Sequence, residues 1–141
     1  MSSNKDQAIQ ENILKPHTVD TFFKSVYIRK PNDAIIADNQ EDFMKQITDP
    51  CHIWQGQIDH RGYGDFGVSS IKLKKKVSVK AHRFAYALEH GFDKLPKGST
   101  SNPEFVINHL CHNRACVNVK HLEVITHAEN LSPEKRKPLN V

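Results

Sequence analysis

An α+β fold of small antiparallel strands and a few helices, stapled by a metal-holding loop, is what this 141-residue sequence predicts. Three observations carry the prediction. Short apolar and alternating runs fill the chain after residue 51, and a single helical pattern, "AHRFAYALEHG", interrupts them. The stretch "NHLCHNRACVNVKHL", residues 108–122, then gathers three histidines, two cysteines and three asparagines.

The length suits one domain with a modest core. No apolar run approaches the ~20 residues that span a bilayer, so no membrane partner is expected. The opening "MSSNKDQAIQENILK" lacks an apolar signal core, which makes the cytoplasm the expected compartment. Net charge is +4 but unevenly spread. Residues 1–50 carry six Lys/Arg against eight Asp/Glu, whereas residues 51–141 carry fourteen against eight. Eight of the nine histidines also follow residue 51. The second part is therefore where a polyanion is expected to bind.

Taken in order, residues 1–50 read as an N-terminal appendage of unknown role, with short helices at "DQAIQENIL" and "NQEDFMKQI" and a break at Pro31. Residues 51–141 form the expected working domain. "CHIWQGQI" reads as a strand and "DHRGYGDFG" as a glycine-marked turn into the next. "IKLKKKVSVK" alternates, placing Lys72, Lys74, Lys76 and Lys80 on one face, provided that no turn falls at "SSIK" or "KLKKK". "AHRFAYALEHG" is a helix capped by Gly91. "EFVINHL" and "HLEVIT" are strands, and "THAENL" opens a last helix, with Thr126 and Glu129 at capping-box spacing.

Cys111, Cys116 and His121 follow a Cys-x4-Cys-x4-His pattern of ligands that suit zinc. A closed structural site needs a fourth ligand. Cys51, the remaining cysteine, supplies it and leaves no thiol reactive; His112 is the rival, awkwardly adjacent to Cys111. A small domain gains much from such a staple. The alternative is three buried thiols near unrelated histidines.

Asn108, His109, Asn118, His127 and Asn130 remain after the zinc ligands. Together with the upstream "CHIWQG", "GYGDFG" and "KAHRFAYALEHG", the stretch "NHLCHNRACVNVKHLEVITHAEN" resembles the HNH nucleases of the ββα-metal (His-Me finger) type. It is most similar to the His-Cys box homing endonucleases and to phage-type HNH enzymes. The resemblance covers about residues 51–131 and implies a zinc-stabilised ββα-metal motif and hydrolysis of phosphodiester bonds in double-stranded DNA. It implies His109 as general base, Asn118 as a brace of the loop between the strands, and Asn130 as a ligand of a catalytic Mg²⁺. Neutral histidine suits base catalysis near pH 7, and a hard cation wants oxygen ligands. Asn108 stands where many relatives have an aspartate metal ligand, so it is a weaker candidate for Mg²⁺. His127 is read as a capping-turn residue, or else as a second ligand.

For DNA, the expected contacts are the four lysines with Arg61 and Arg83; Arg83 is equally a core brace. Trp54, Tyr63 and Phe66 are read as core or turn aromatics. His-Cys box enzymes carry a second zinc site and a dimerising tail after the catalytic helix. Neither follows Asn130 here, so a homodimer is left open. By resemblance the expected setting is homing or a phage role, in the host cytoplasm. Two rivals stand beside this expectation: a degenerate zinc-stabilised module that holds DNA without cutting, opposed by His109 and Asn130, and a nonspecific nuclease, opposed by the cysteine pattern.

Overall fold

The computed structural model describes residues 4–28, 50–96, 105–126 and 128. Helices α1 (Asn4–Asn12) and α2 (Pro16–Lys24) lead into strand β1 (Val26–Ile28). Strands β2 (His52–Trp54), β3 (Gln57–Ile58), β4 (Gly64–Ser70) and β5 (Lys75–Lys80) follow, and β5 runs directly into helix α3 (Ala81–His90). Strands β6 (Phe105–His109) and β7 (Leu122–Thr126) complete the described elements, with a 3₁₀ turn over Val119–His121 between them. The mixture of helices with antiparallel strands is the expected α+β class.

Pairing is antiparallel throughout: β1 with β2, β3-β4-β5 as a three-stranded sheet, and β6 with β7 as a long-looped hairpin. An isolated bridge between Ile53 and Cys116 joins β2 to the β6–β7 loop. β4 alternates as a half-buried strand should: Gly64, Phe66, Val68 and Ser70 face inward, while Gly67 and Ser69 face out.

The core is aromatic. Phe22, Trp54, Phe66 and Phe84 are buried, with the Phe22 ring 5.0–5.4 Å from the other three. Each such side chain contributes roughly 1.5–3 kcal/mol by leaving water. Gly64 lets Trp54 lie flat on the sheet: a Cβ there would come 2.5 Å from the indole. The indole N–H donates to the Asp65 carbonyl, 3.2 Å away, which satisfies the polar edge of an otherwise apolar ring.

Three features differ from the sequence reading. Residues 4–28 do not stand apart, because Ala8, Ile9 and Phe22 share one apolar cluster with Trp54, Phe66, Val79 and Phe84. The cause is the β1–β2 pairing and α1 lying on β4 and β5, long-range contacts that acidic composition does not signal. α2, which starts at a favourable N-terminal Pro16, and the short β1 were not expected at all.

The lysine row is also broken. Residues 71–74 form the turn of the β4–β5 hairpin, with Ser70 opposite Lys75 and Lys74 at φ 55°. Glu11 of α1 holds that turn, accepting from the Ser70 hydroxyl and from the backbone N–H of Ile71 (2.9 Å) and Lys72 (3.2 Å). Lys72 and Lys74 therefore sit on the turn, and only Lys76 and Lys80 share a strand face. "NQEDFMKQI" and all of "THAENL" except Thr126 and Ala128 lie outside the described residues. Among those described, no helix is long and apolar enough to cross a membrane.

Candidate metal centre and histidine cluster

Four side chains converge from three places. Cys51 lies immediately before β2, Cys111 and Cys116 lie on the β6–β7 loop, and His121 ends the 3₁₀ turn before β7. Their ligand atoms all lie within 4.8 Å of one another, and all four residues are buried. His121 Nδ1 is 3.5 Å from the Cys116 sulphur and 3.7 Å from that of Cys51. Zinc–sulphur bonds of ~2.3 Å and zinc–nitrogen bonds of ~2.0 Å at tetrahedral angles set sulphur and nitrogen roughly 3.5 Å apart. The donor set therefore fits a structural metal such as zinc.

Charge supports the same conclusion. Contact with the Cys116 and Cys51 sulphurs, added to burial, pushes the Cys111 thiol far up. Hydrogen bonds from Cys111 and Cys51 hold Cys116 far below the usual thiol range. A buried trio of this kind carries one negative charge readily, and full ionisation requires a cation among the sulphurs. His112 is half-buried, at φ 59°, and outside the four-atom cluster.

Local hydrogen bonding shapes the loop. Asn113 Oδ1 accepts from the Ala115 N–H at 3.0 Å, and the Asn113 carbonyl accepts from the Cys116 N–H at 3.0 Å. Asn118 is buried; its oxygen accepts from the Lys120 N–H (3.0 Å) and its amide nitrogen donates to the Pro50 carbonyl (2.8 Å). It thus ties the start of the 3₁₀ turn to the residue before Cys51. Backbone bonds from Trp54 to Ala115 (2.9 Å) and from Val117 to His52 (2.7 Å) add to the clamp.

His109 ends β6, opposite Leu122. Its Nε2 lies 3.2 Å from the Cys116 carbonyl oxygen. A carbonyl can only accept, so Nε2 carries the proton and Nδ1 keeps its lone pair. Burial lowers the His109 pKa to about 4, so the ring is neutral at pH 7. The His82 ring stands edge-on at 4.8 Å and the Tyr63 ring lies at 5.8 Å. The Arg114 guanidinium sits 5.2 Å from the Tyr63 centroid and donates to the Arg61 carbonyl at 2.9 Å. Asp59 shapes the turn carrying these residues, accepting from the Arg61 and Tyr63 N–H groups at 2.8 and 3.0 Å.

Not every expected residue joins this group. The Asn108 amide donates to Glu123 at 3.0 Å, across the hairpin, and as the neighbour of His109 on a strand it projects to the other face. The structure gives it a cross-strand partner rather than a place beside His109. Lys80 is held by Asp59 (2.6 Å) and Asp65 (2.7 Å), so its charge is already matched. Arg83 is largely buried and bonded to Asp6 (2.9 Å) and to the Pro96 carbonyl (2.6 Å), which makes it a core brace. Arg61 is exposed beside the cluster. Asn130 and His127 lie outside the described residues.

His82, Arg114 and the site role of Tyr63 escaped the sequence reading. They come from the start of α3, the metal loop and the β3–β4 turn, and no linear spacing connects them.

Comparison with known proteins agrees with this geometry. The HNH endonuclease family model matches residues 79–132. A curated relative, "Protein 7.7" of Escherichia phage T7, is 34% identical over 80 residues, covering 57% of this chain and 51% of the relative. The chain thus spans about half the length of that relative. No solved structure matches. From β5 to the end of the hairpin, through His109, Cys111, Cys116 and His121, the chain is therefore similar to the HNH endonuclease family.

Proposed function

We propose that the protein is a Mg²⁺-dependent endonuclease of double-stranded DNA, with His109 as general base and a structural zinc on Cys51, Cys111, Cys116 and His121. One observation carries the reading. Within the HNH-matched segment, a buried histidine donates through Nε2 to the carbonyl of a zinc-ligand residue, which leaves Nδ1 free to take a proton. Water gives a proton to that nitrogen and its oxygen attacks phosphorus in line. The bond to the 3′ oxygen breaks, and that oxygen is protonated by solvent, leaving 5′-phosphate and 3′-hydroxyl ends. The phosphate's negative charge favours the imidazolium as it forms, offsetting part of its burial. A divalent ion, when bound, neutralises charge on the phosphate. Asn130 is our proposed protein ligand for it.

Asn118 acts by bracing the loop on which Cys116 presents its carbonyl. The relative's phage origin supports a phage-type role in a host cytoplasm, and a site-specific homing activity fits the same chemistry. A second copy of the chain could bring a second cutting centre. Supercoiled plasmid incubated with zinc-loaded protein is expected to be cut when Mg²⁺ is added and to stay intact without it. Retained plasmid binding with no cutting at any Mg²⁺ concentration would favour the binding-module reading.

DNA contacts are assigned to the hairpin tip, where Lys72, Lys74, Lys75 and Lys76 are exposed and lack a carboxylate partner among the described residues, and to Arg61 and Arg114. Each lysine on a phosphate releases counterions, so replacing one with glutamine should reduce the slope of log K against log salt by about 0.9. Lys80→Gln is expected to leave the slope unchanged and to lower stability instead, since Asp59 and Asp65 lose their shared partner. Filter binding across a salt series, paired with thermal melts, separates the two effects.

A further inference from the structure

His82 has no role in the chemistry above, yet it is placed like a participant. It is the second residue of α3, it is buried, and its Nδ1 has no hydrogen-bond partner among the described residues. Leaving a buried polar atom unpaired costs roughly 1–3 kcal/mol. The α3 packing does not ask for an imidazole, because Ala81, Phe84, Ala85 and Ala87 supply the apolar contacts. The His82 ring meets the His109 ring at 4.8 Å and 62°, and the Tyr63 ring at 5.4 Å.

We propose that His82 is a second catalytic imidazole, whose Nδ1 accepts one O–H of the attacking water while His109 takes the proton of the other. The inference rests on the nuclease reading of this site. Rings with centroids 4.8 Å apart allow one oxygen to sit ~2.8 Å from a nitrogen of each. Two acceptors fix both hydrogens of the water, so a lone pair is aimed outward at phosphorus. Only the proton passed to His109 leaves the oxygen; the hydrogen shared with His82 stays on it and ends on the product phosphate. Burial, reinforced by the Arg83 and Lys80 charges and opposed by Asp59, keeps His82 neutral and able to accept.

Asparagine and leucine have nearly the same shape and differ in hydrogen bonding, so His82→Asn and His82→Leu form the test pair. Single-turnover plasmid cleavage, DNA affinity, zinc content and melting temperature are measured for both and for the unsubstituted protein. The leucine variant should bind DNA and zinc normally and cut at least ~10-fold more slowly, the scale of one lost hydrogen bond to a charged transition state. The asparagine variant should recover much of that loss. Equal rates for the pair, whether fast or slow, would overturn the proposal, because shape alone would then explain the position. If the leucine variant does not fold, His82→Phe replaces it in the same comparison. An unsubstituted protein that binds DNA and zinc but never cuts would remove the nuclease reading first, and this inference with it.

Discussion

His109→Ala should bind DNA as tightly as the unsubstituted protein and cut it at least ~10²-fold more slowly, the low end for loss of a general base. His82 is proposed to steady the water rather than to take its proton, and His121 Nδ1 lies among the cysteine sulphurs, so neither is expected to replace it. The variant should keep its zinc, because His109 is not in the four-ligand cluster. The loss will include some positional disorder, since the Cys116 carbonyl forfeits its ring N–H partner. Single-turnover rates with saturating protein separate the chemical step from binding. Cleavage at the unsubstituted rate would show that another group takes the proton.

Cys116→Ser should lose both metal and fold. The unsubstituted protein is expected to hold about one zinc per chain, since one closed site uses all its cysteines. Structural zinc contributes roughly 10–16 kcal/mol of apparent binding energy in small domains, comparable with the whole stability of most of them. Cys116 has a second load: it forms the bridge to Ile53 and presents the carbonyl that orients His109. Metal analysis by mass spectrometry alongside circular dichroism would check the result. A folded, active, zinc-free Cys116→Ser protein would dismiss the structural-metal assignment.

How much of this was legible beforehand follows from which interactions are local. The candidate metal ligands could be read because thiols are rare, and because Cys111, Cys116 and His121 lie close in sequence. Their convergence with Cys51 is what the structure displays. Helix α3 could be read from its periodicity and its Gly91 cap. The hairpin turn at 71–74 was visible only as an option, because lysine suits a turn and a solvated strand face equally; the decisive partner, Glu11, lies about 60 residues away. Lys80 looked like a free cation for the same reason, and Arg83 suited a core brace and a phosphate contact equally. Their carboxylates, Asp59, Asp65 and Asp6, are brought to them only by folding. The His82–His109–Tyr63 cluster joins three separate elements, so no spacing rule encodes it.

Cys51 lies outside the stretch that matches the HNH family, and so does Trp54, whose ring anchors the core. The HNH-matched segment is therefore not a portable cassette. Cut out alone, residues 79–132 would bring three ligands to the metal and leave its fourth position to solvent, as in a reactive zinc site rather than a structural one. Grafting the proposed activity onto another scaffold would mean carrying Cys51 and the strand that follows it as well, and with them the helices that bury that strand's tryptophan.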